Sequence, residues 1–242
     1  MPRDLRTRDR QPELMDDPRL DERSHRAALR GLARLNRIAG IDRSVWKPLQ
    51  PMLRDRSADH SPSRVLDVAA GSGDLLLNLA RRAGAAGIPI ELVGCDISPR
   101  ACHEIEKNAS DAGLAITAFR ADVLAKPLVD NANKPPYDIV MCHLFLHHLD
   151  EEGIITVLRR MKQATARAVL ITDLVRSRRG YLLAWLASRL FTRSRVVHTD
   201  ALLSVRGALT PDELARLAER AGLRDARIRR VWPQRMRLVW TP

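Results

Sequence analysis

The sequence predicts an α/β chain with a doubly wound, seven-stranded and mostly parallel sheet ending in an antiparallel hairpin, and three observations predict it. From Arg64 onward, short apolar runs alternate with stretches of helical periodicity, the pattern of strands buried on both faces with helices between them. The first of these runs passes directly through a glycine turn into a helix, in VLDVAAGSGDLLLNLARR. Near the C-terminus two strand-like pieces, ARIRRVW and RMRLVW, are separated only by Pro233 and Gln234. That is too little chain for a parallel crossover, so the two must pair antiparallel.

Residues 1–20 are polar, carry Pro2, Pro12 and Pro18, and read as an extended arm. Over 21–39, Ala28, Leu32, Leu35 and Ala39 recur at helical spacing, with Asp21 as N-cap and Gly40 as stop. A second short helix is expected over 45–56. Both precede the first strand and are expected to form a cap, so the chain divides into an arm and helical cap, 1–63, and an α/β domain, 64–242. Strands are expected at 65–69, 90–96, 116–121, 137–143 and 168–174, with helices over 73–83, 99–112 and 151–165. Ser98 and Asp150 are the natural N-caps of the last two helices. The segment 176–209 reads as an insertion on the substrate side, its later part, 196–210, an irregular connection. A helix over 211–222 follows, with Thr210 as N-cap and Gly222 just past its end.

The 242 residues are 45% hydrophobic and 29% charged, which excludes a disordered chain, collagen and a disulfide mini-protein and allows one large core. The cysteines Cys95, Cys102 and Cys142 are odd in number and form no C-x-x-C pair, so neither a disulfide framework nor a zinc knuckle is expected, and a reducing cytoplasm is the natural setting. The N-terminus is charged where a signal peptide is apolar, and no segment has the roughly 18 apolar residues of a membrane span. The net charge of +12 is uneven: +4 over 1–63, −2 over 64–175 and +10 over 176–242. A field of this kind attracts nucleic acid, an anionic membrane surface or an acidic small molecule. Only five of the 41 basic residues are lysine, however, so the surplus reads as compositional habit, and few aromatics interleave with the arginines to stack on bases.

The glycine turn carries the chemistry. Gly71 and Gly73 let backbone approach a ligand, and the next helix points its N-terminal amides at the same place. A dinucleotide fingerprint needs a third glycine where this chain has Leu76, which disfavours NAD. The spacing Asp67, Ala69, Gly71, Gly73 resembles instead the first motif of the class I S-adenosylmethionine-dependent methyltransferases, closest to the ubiquinone/menaquinone-biosynthesis type. Ala69 stands where that family usually has glycine.

This resemblance implies a Rossmann-like methyltransferase fold over 64–242 and S-adenosyl-L-methionine as cofactor. It covers 64–175 well and extends loosely through the terminal hairpin. By the same resemblance Asp96, at the end of the second strand, accepts the ribose hydroxyls with Ile97 beside it. Asp122 accepts from the adenine amino group, Val123 lies against the ring, and Ala69, Ala70, Gly71, Gly73 and Cys142 line the remaining path. Asp67 orients the loop. The fourth strand, YDIVMCHLFLHHL, matches the family's F-D-x-V followed by an apolar segment and a histidine pair.

His143, at that strand's end, is the candidate general base or substrate contact. Candidate substrate contacts are His147, His198, Asp200 and Arg206, together with Arg30 and Arg37 of the cap, while Leu183, Trp185 and Leu186 supply apolar wall or core. His147 and His148 lead into a helix, one of them buried and paired. No carboxylate or cysteine stands at ligand spacing from them, so no metal is expected. The expected activity is methylation of a small hydrophobic or aromatic acceptor at oxygen or carbon. The alternatives are an RNA methyltransferase using the basic C-terminal third, disfavoured because CHLF replaces the base-binding Pro-Pro-aromatic pattern, and a non-catalytic cofactor-binding or membrane-associated protein. The apolar run 181–190 between arginines is expected first to pack in the core; a substrate-covering helix, a dimer contact or peripheral membrane contact are its alternatives.

Overall fold

The computed structural model describes residues 5–17, 19–57, 61–128 and 136–242. After an arm with a short 3₁₀ turn at Leu14–Asp16, helices α1 (Glu22–Ile38) and α2 (Ile41–Ser57) precede strand β1 (Ser63–Val68). Then follow α3 (Asp74–Ala85), β2 (Ile90–Asp96), α4 (Pro99–Asp111), β3 (Ile116–Arg120), β4 (Tyr137–His143), α5 (Glu151–Ala164) and β5 (Thr165–Leu174). The chain ends with α6 (Arg178–Phe191), α7 (Arg195–Gly207), α8 (Pro211–Arg220), β6 (Arg227–Val231) and β7 (Arg235–Trp240). Side chains cap the helices where the sequence places them: Asp21 accepts from the Ser24 amide, Ser98 from Ala101 and Asp150 from Gly153. Thr210 and Glu213 close a capping box on α8.

The sheet runs β3-β2-β1-β4-β5-β7-β6, parallel through β5 and antiparallel at β7 and β6. The hairpin was legible; the insertion of β7 between β5 and β6 was not. Chain order reverses at β1, whose neighbours are β2 and β4, so the crevice of this α/β sheet opens above the C-terminal ends of these strands. One face carries Val65, Met141 and Leu170, covered by α2, α3 and α4; the other carries Leu66, Val140 and Ile171, covered by α5 and α8.

Two elements differ from the expectation. Helix α2 belongs to the core as well as to the N-terminal segment: Val45, Leu49 and Leu53 are fully buried against α3 and β1, although Pro48 and Pro51 lie inside the helix. Burial of the apolar stripe Ile41, Val45, Leu49 and Leu53 outweighs the poor helix propensity of two prolines. The connection expected to be irregular is helix α7, capped by Ser194 and wedged against α6, α1 and the arm. Its valines and threonine disfavour a helix locally, and tertiary packing of Val197 and Val205 overrides them.

Candidate functional site

Beyond β1 the backbone turns through left-handed conformations at Ala69 (φ 57°), Gly71 (φ 56°) and Gly73 (φ 78°). Three bonds hold the loop: Ala70 donates to the Cys95 carbonyl (3.0 Å), Gly71 to Asp96 Oδ2 (3.0 Å) and Gly73 to the Ala70 carbonyl (3.0 Å). The two glycines have different reasons to be glycine. A Cβ at Gly73 would stand 2.9 Å from Ile105 Cγ1, whereas a Cβ at Gly71 would enter space with no heavy atom within 4 Å. Gly73 is thus needed for packing, and Gly71 borders an open cradle at the start of α3.

Leu76 is accommodated from the other side. Gly94 of β2 leaves the room, a Cβ there falling 3.0 Å from Leu76 Cδ1, so the packing glycine sits on the strand rather than the helix. A glycine within IELVGCD was the signal for it. Because alanine in the left-handed region is strained, Ala69→Gly is expected to stabilise the fold by about 0.5–1 kcal/mol, measured by urea denaturation.

Asp96 is half-buried at the end of β2, where its oxygens accept from the Gly71 amide and from the Ser98 amide (3.0 Å each). A carboxylate offers four lone-pair directions, so both oxygens retain acceptor capacity. Ile97 beside it is 60% exposed, an apolar side chain held out into the crevice. Asp122 accepts from the Leu124 amide (2.9 Å), as a turn aspartate does, while Val123 is buried beneath it. Asp67 is buried with Oδ1 unpartnered among the described residues, and burial followed by the charge of Asp96 holds its carboxyl well above the usual range. The Cys142 side chain does not line the path. It lies fully inside the core facing α5, burial drives its thiol far up, and only its backbone reaches the strand end.

Strand register puts Asp67, Met141, His143, Leu170, Thr172 and Arg235 on one face of the sheet. Along adjacent strands, Asp67 Oδ1, both ring nitrogens of His143, Thr172 Oγ1 and Arg235 Nε are buried and without partners among the described residues. Unpaired buried groups are rare, and a row of them marks where a ligand or ordered water completes the bonding. Burial brings His143 down to about 3, with the Asp173 charge opposing and Arg235 assisting. His143 is therefore a neutral imidazole at ordinary pH and a weak proton acceptor, which favours substrate contact over general base among the two roles expected of it. Burial lowers Arg235 to about 10, still a cation, and its Nη1 donates to the Ala39 carbonyl at 3.4 Å. Arg237 donates to the Ser44 carbonyl (3.2 Å), so the α1–α2 corner overhangs this row. Thr172 and Arg235 were missed in the sequence; a threonine in the apolar run AVLITDL was the available signal.

The substrate contacts expected elsewhere are committed to other bonds. His147 is buried, with Nδ1 2.7 Å from Asp173 Oδ1 and its backbone amide donating to Asp173 Oδ2 (3.2 Å). Its Nε2 lies 3.7 Å from Glu13 of the arm. Burial alone would lower the imidazole, but the charge and hydrogen bond of Asp173, with Glu13, outweigh it and raise the value. Both Asp200 oxygens accept amides of the arm, from Leu14 (2.8 Å) and Met15 (3.0 Å). Arg206 pairs with Asp9, and His198 Nε2 meets the Thr192 carbonyl at 2.9 Å. Arg8 completes the strap, donating to the carbonyls of Gly207, Leu146 and His147. Residues His147, Asp200 and Arg206 thus fasten the arm across α7, and Arg30 and Arg37 are exposed on α1.

Ligand spacing along the chain could not reveal that Glu13 joins His147 and His148, their ligand atoms all within 4.8 Å of one another. Asp173 and Glu13 favour the protonated form of His147, against burial. Leu183 is half-buried, whereas Trp185 and Leu186 face solvent rather than a core.

Residues 65–167 match a family model described as a methyltransferase domain. The chain is 38% identical over 78 residues to a demethylmenaquinone methyltransferase of Thermus thermophilus, covering 32% of this chain and 34% of that one. It is 34% identical over 113 residues to one of Deinococcus radiodurans, covering 45% and 41%. The chain therefore aligns with only about a third to two fifths of the length of these relatives. Among solved structures, human N-acetylserotonin methyltransferase in complex with SAM superposes with a TM-score of 0.61 at 16% identity, covering 90% of this chain and 56% of that one. This likeness is one of fold.

Proposed function

We infer, from a chain that carries a class I S-adenosylmethionine-dependent methyltransferase domain, that it binds S-adenosyl-L-methionine and methylates a small hydrophobic acceptor, aromatic or quinone-type in character. The observation that carries this reading is the row of unpartnered buried polar atoms along β1, β4, β5 and β7, beside an open glycine cradle. The residues present fit the cofactor. Gly71 leaves room beside the loop, Asp96 has free acceptor directions for hydroxyls, and exposed Ile97 offers an apolar wall for a flat ring. When bound, the cofactor supplies an electrophilic methyl group on a sulfonium.

The protein's part is alignment and exclusion of water, since in-line displacement needs no enzyme-bound intermediate. Neutral His143 and Thr172 would orient the acceptor through hydrogen bonds. The cationic Arg235 would favour an anionic oxygen on it. The names of the curated relatives support a quinone-type ring.

Turnover of labelled cofactor against phenolics, quinone precursors and total RNA tests the reading. Methylation of a small aromatic is the expected result, and label transferred only to RNA would overturn it. Asp96→Ala is expected to weaken cofactor binding by about 1.5–3 kcal/mol in calorimetry, the loss of charge-assisted hydrogen bonds. An unchanged affinity would remove Asp96 from the site.

A further inference from the structure

We propose that the outer face of α6 and the arginine stripe of α1 together form a docking surface for an anionic lipid bilayer. On α6, Leu182, Trp185, Leu186 and Leu190 recur at three- and four-residue spacing, so they share one side of the helix. That side is turned to solvent: Leu182 is 64% and Leu190 67% exposed, and Trp185 and Leu186 are also open. Isolated exposed apolar residues are ordinary; four on one helix face are not. The turn between β6 and β7 adds Trp232, 80% exposed, and this turn is fastened to the start of α6, where Ser177 Oγ donates to Gln234 Oε1 at 2.9 Å.

The charge around this face selects the partner. From Arg176 to Leu209 there are seven arginines and a single acid, Asp200, buried in its bonds to the arm; Arg176 and Arg206 pair with Glu213 and Asp9, which leaves five arginines to charge the surface. Arg178, Arg179, Arg193 and Arg195 are exposed at the two ends of α6, and Arg189 lies over the Trp185 ring at 4.7 Å. Helix α1 packs beside α6 and is tied to its end, Arg34 donating to the Phe191 carbonyl at 3.1 Å. On α1, Arg23, Arg26, Arg30, Arg34 and Arg37 again recur at three- and four-residue spacing and form a second exposed line, ending beside exposed Ile38.

Apolar side chains of this length reach the headgroup and acyl boundary, while flanking guanidiniums bind lipid phosphates. A second copy of the chain fits less well, because a two-fold contact through α6 would set these arginines against themselves. The partner this chemistry fits is a bilayer rich in anionic phospholipid, the medium from which a hydrophobic acceptor would be drawn.

Flotation with phosphatidylcholine/phosphatidylglycerol vesicles, against vesicles of phosphatidylcholine alone, tests this without reference to activity. The wild-type protein is expected to float with the anionic vesicles only. The surface variant Leu182→Ser/Leu186→Ser/Leu190→Ser is expected to lose at least about tenfold in affinity. Arg30→Gln/Arg34→Gln/Arg37→Gln is expected to lose about fivefold per arginine at low salt. A charge-matched control on another part of the surface, Arg216→Gln/Arg224→Gln/Arg227→Gln, should still float. Tryptophan emission should shift to the blue on anionic vesicles, and less so in Trp185→Phe. Wild-type protein left at the bottom of the gradient, or a leucine variant that floats equally well, would overturn the proposal. So would a sedimentation-velocity dimer that the leucine variant dissolves, since that would make a second copy the occupant of this face.

Discussion

Gly71→Val is expected to abolish measurable binding of S-adenosylmethionine, weakening it at least about a hundredfold. Three features of the loop converge on this residue. Its φ of 56° is a conformation that a β-branched residue resists, its amide donates to Asp96 Oδ2, and its missing side chain leaves open space beside the cradle. Gly71→Ala separates backbone strain from obstruction: alanine carries only the left-handed penalty that Ala69 already bears nearby, so the protein should stay folded with an intermediate affinity. Gly73→Ala should fail differently. A Cβ there presses on Ile105 Cγ1 and stands 3.4 Å from its Cα, so its cost of about 2 kcal/mol or more appears in the unfolding transition. Calorimetry with each folded variant decides the matter, and a Gly71→Val protein that binds at wild-type affinity would place the cofactor elsewhere.

The strand periods, the glycine turn and the caps were legible because each is a local rule: alternation of apolar runs, a left-handed turn, an oxygen before the first helical turn. The roles expected of Asp96 and Ile97 came from the family resemblance; their place at the end of a parallel strand, beside the reversal of chain order, puts them at the crevice. The roles of Asp200 and Arg206 were not legible. Their partners Leu14, Met15 and Asp9 lie almost the length of the chain away, and no spacing rule connects them. Asp173 was hidden for a related reason: a polar residue closing an apolar strand reads as the strand's end, not as the partner of a histidine on another element. His143 follows from its position at a strand end, but its low basicity was not legible, because it comes from burial and from the charges of Asp173 and Arg235 on other strands.

Asp173→Ala is expected to destabilise the protein by about 3–5 kcal/mol, the cost of leaving one member of a buried ion pair without its partner. Asp173 and His147 are both nearly inaccessible, at 2% and 5% exposure, and 2.7 Å apart. The same carboxylate also receives the amides of His147 and Leu174, so its loss loosens the turn on which Arg8 and Arg10 anchor the arm.

His147→Gln isolates the charge, since an amide can still donate to Asp173 but cannot titrate. The folded-state value of His147 is raised above 6.5, so its contribution is complete below that value and is lost as pH rises through the raised one. Burial opposes the lowering of Asp173, but His147 outweighs it, so the acid's contribution is present above 3.8 and lost as pH falls through the depressed value. The pair therefore contributes most between these limits. His143, lowered to about 3, and His148, lowered to about 4, act with the opposite sign, because below 6.5 the unfolded chain binds protons that they refuse. His143 is common to both proteins and cancels when wild type and His147→Gln are compared at each pH, whereas His148, held down partly by the His147 charge, differs between them only below 6.5, outside the range in which His147 loses its proton. The stability gap from urea denaturation should then shrink as pH rises from 6.5 through the raised value of His147, and a constant gap would show that His147 carries no charge in the folded protein.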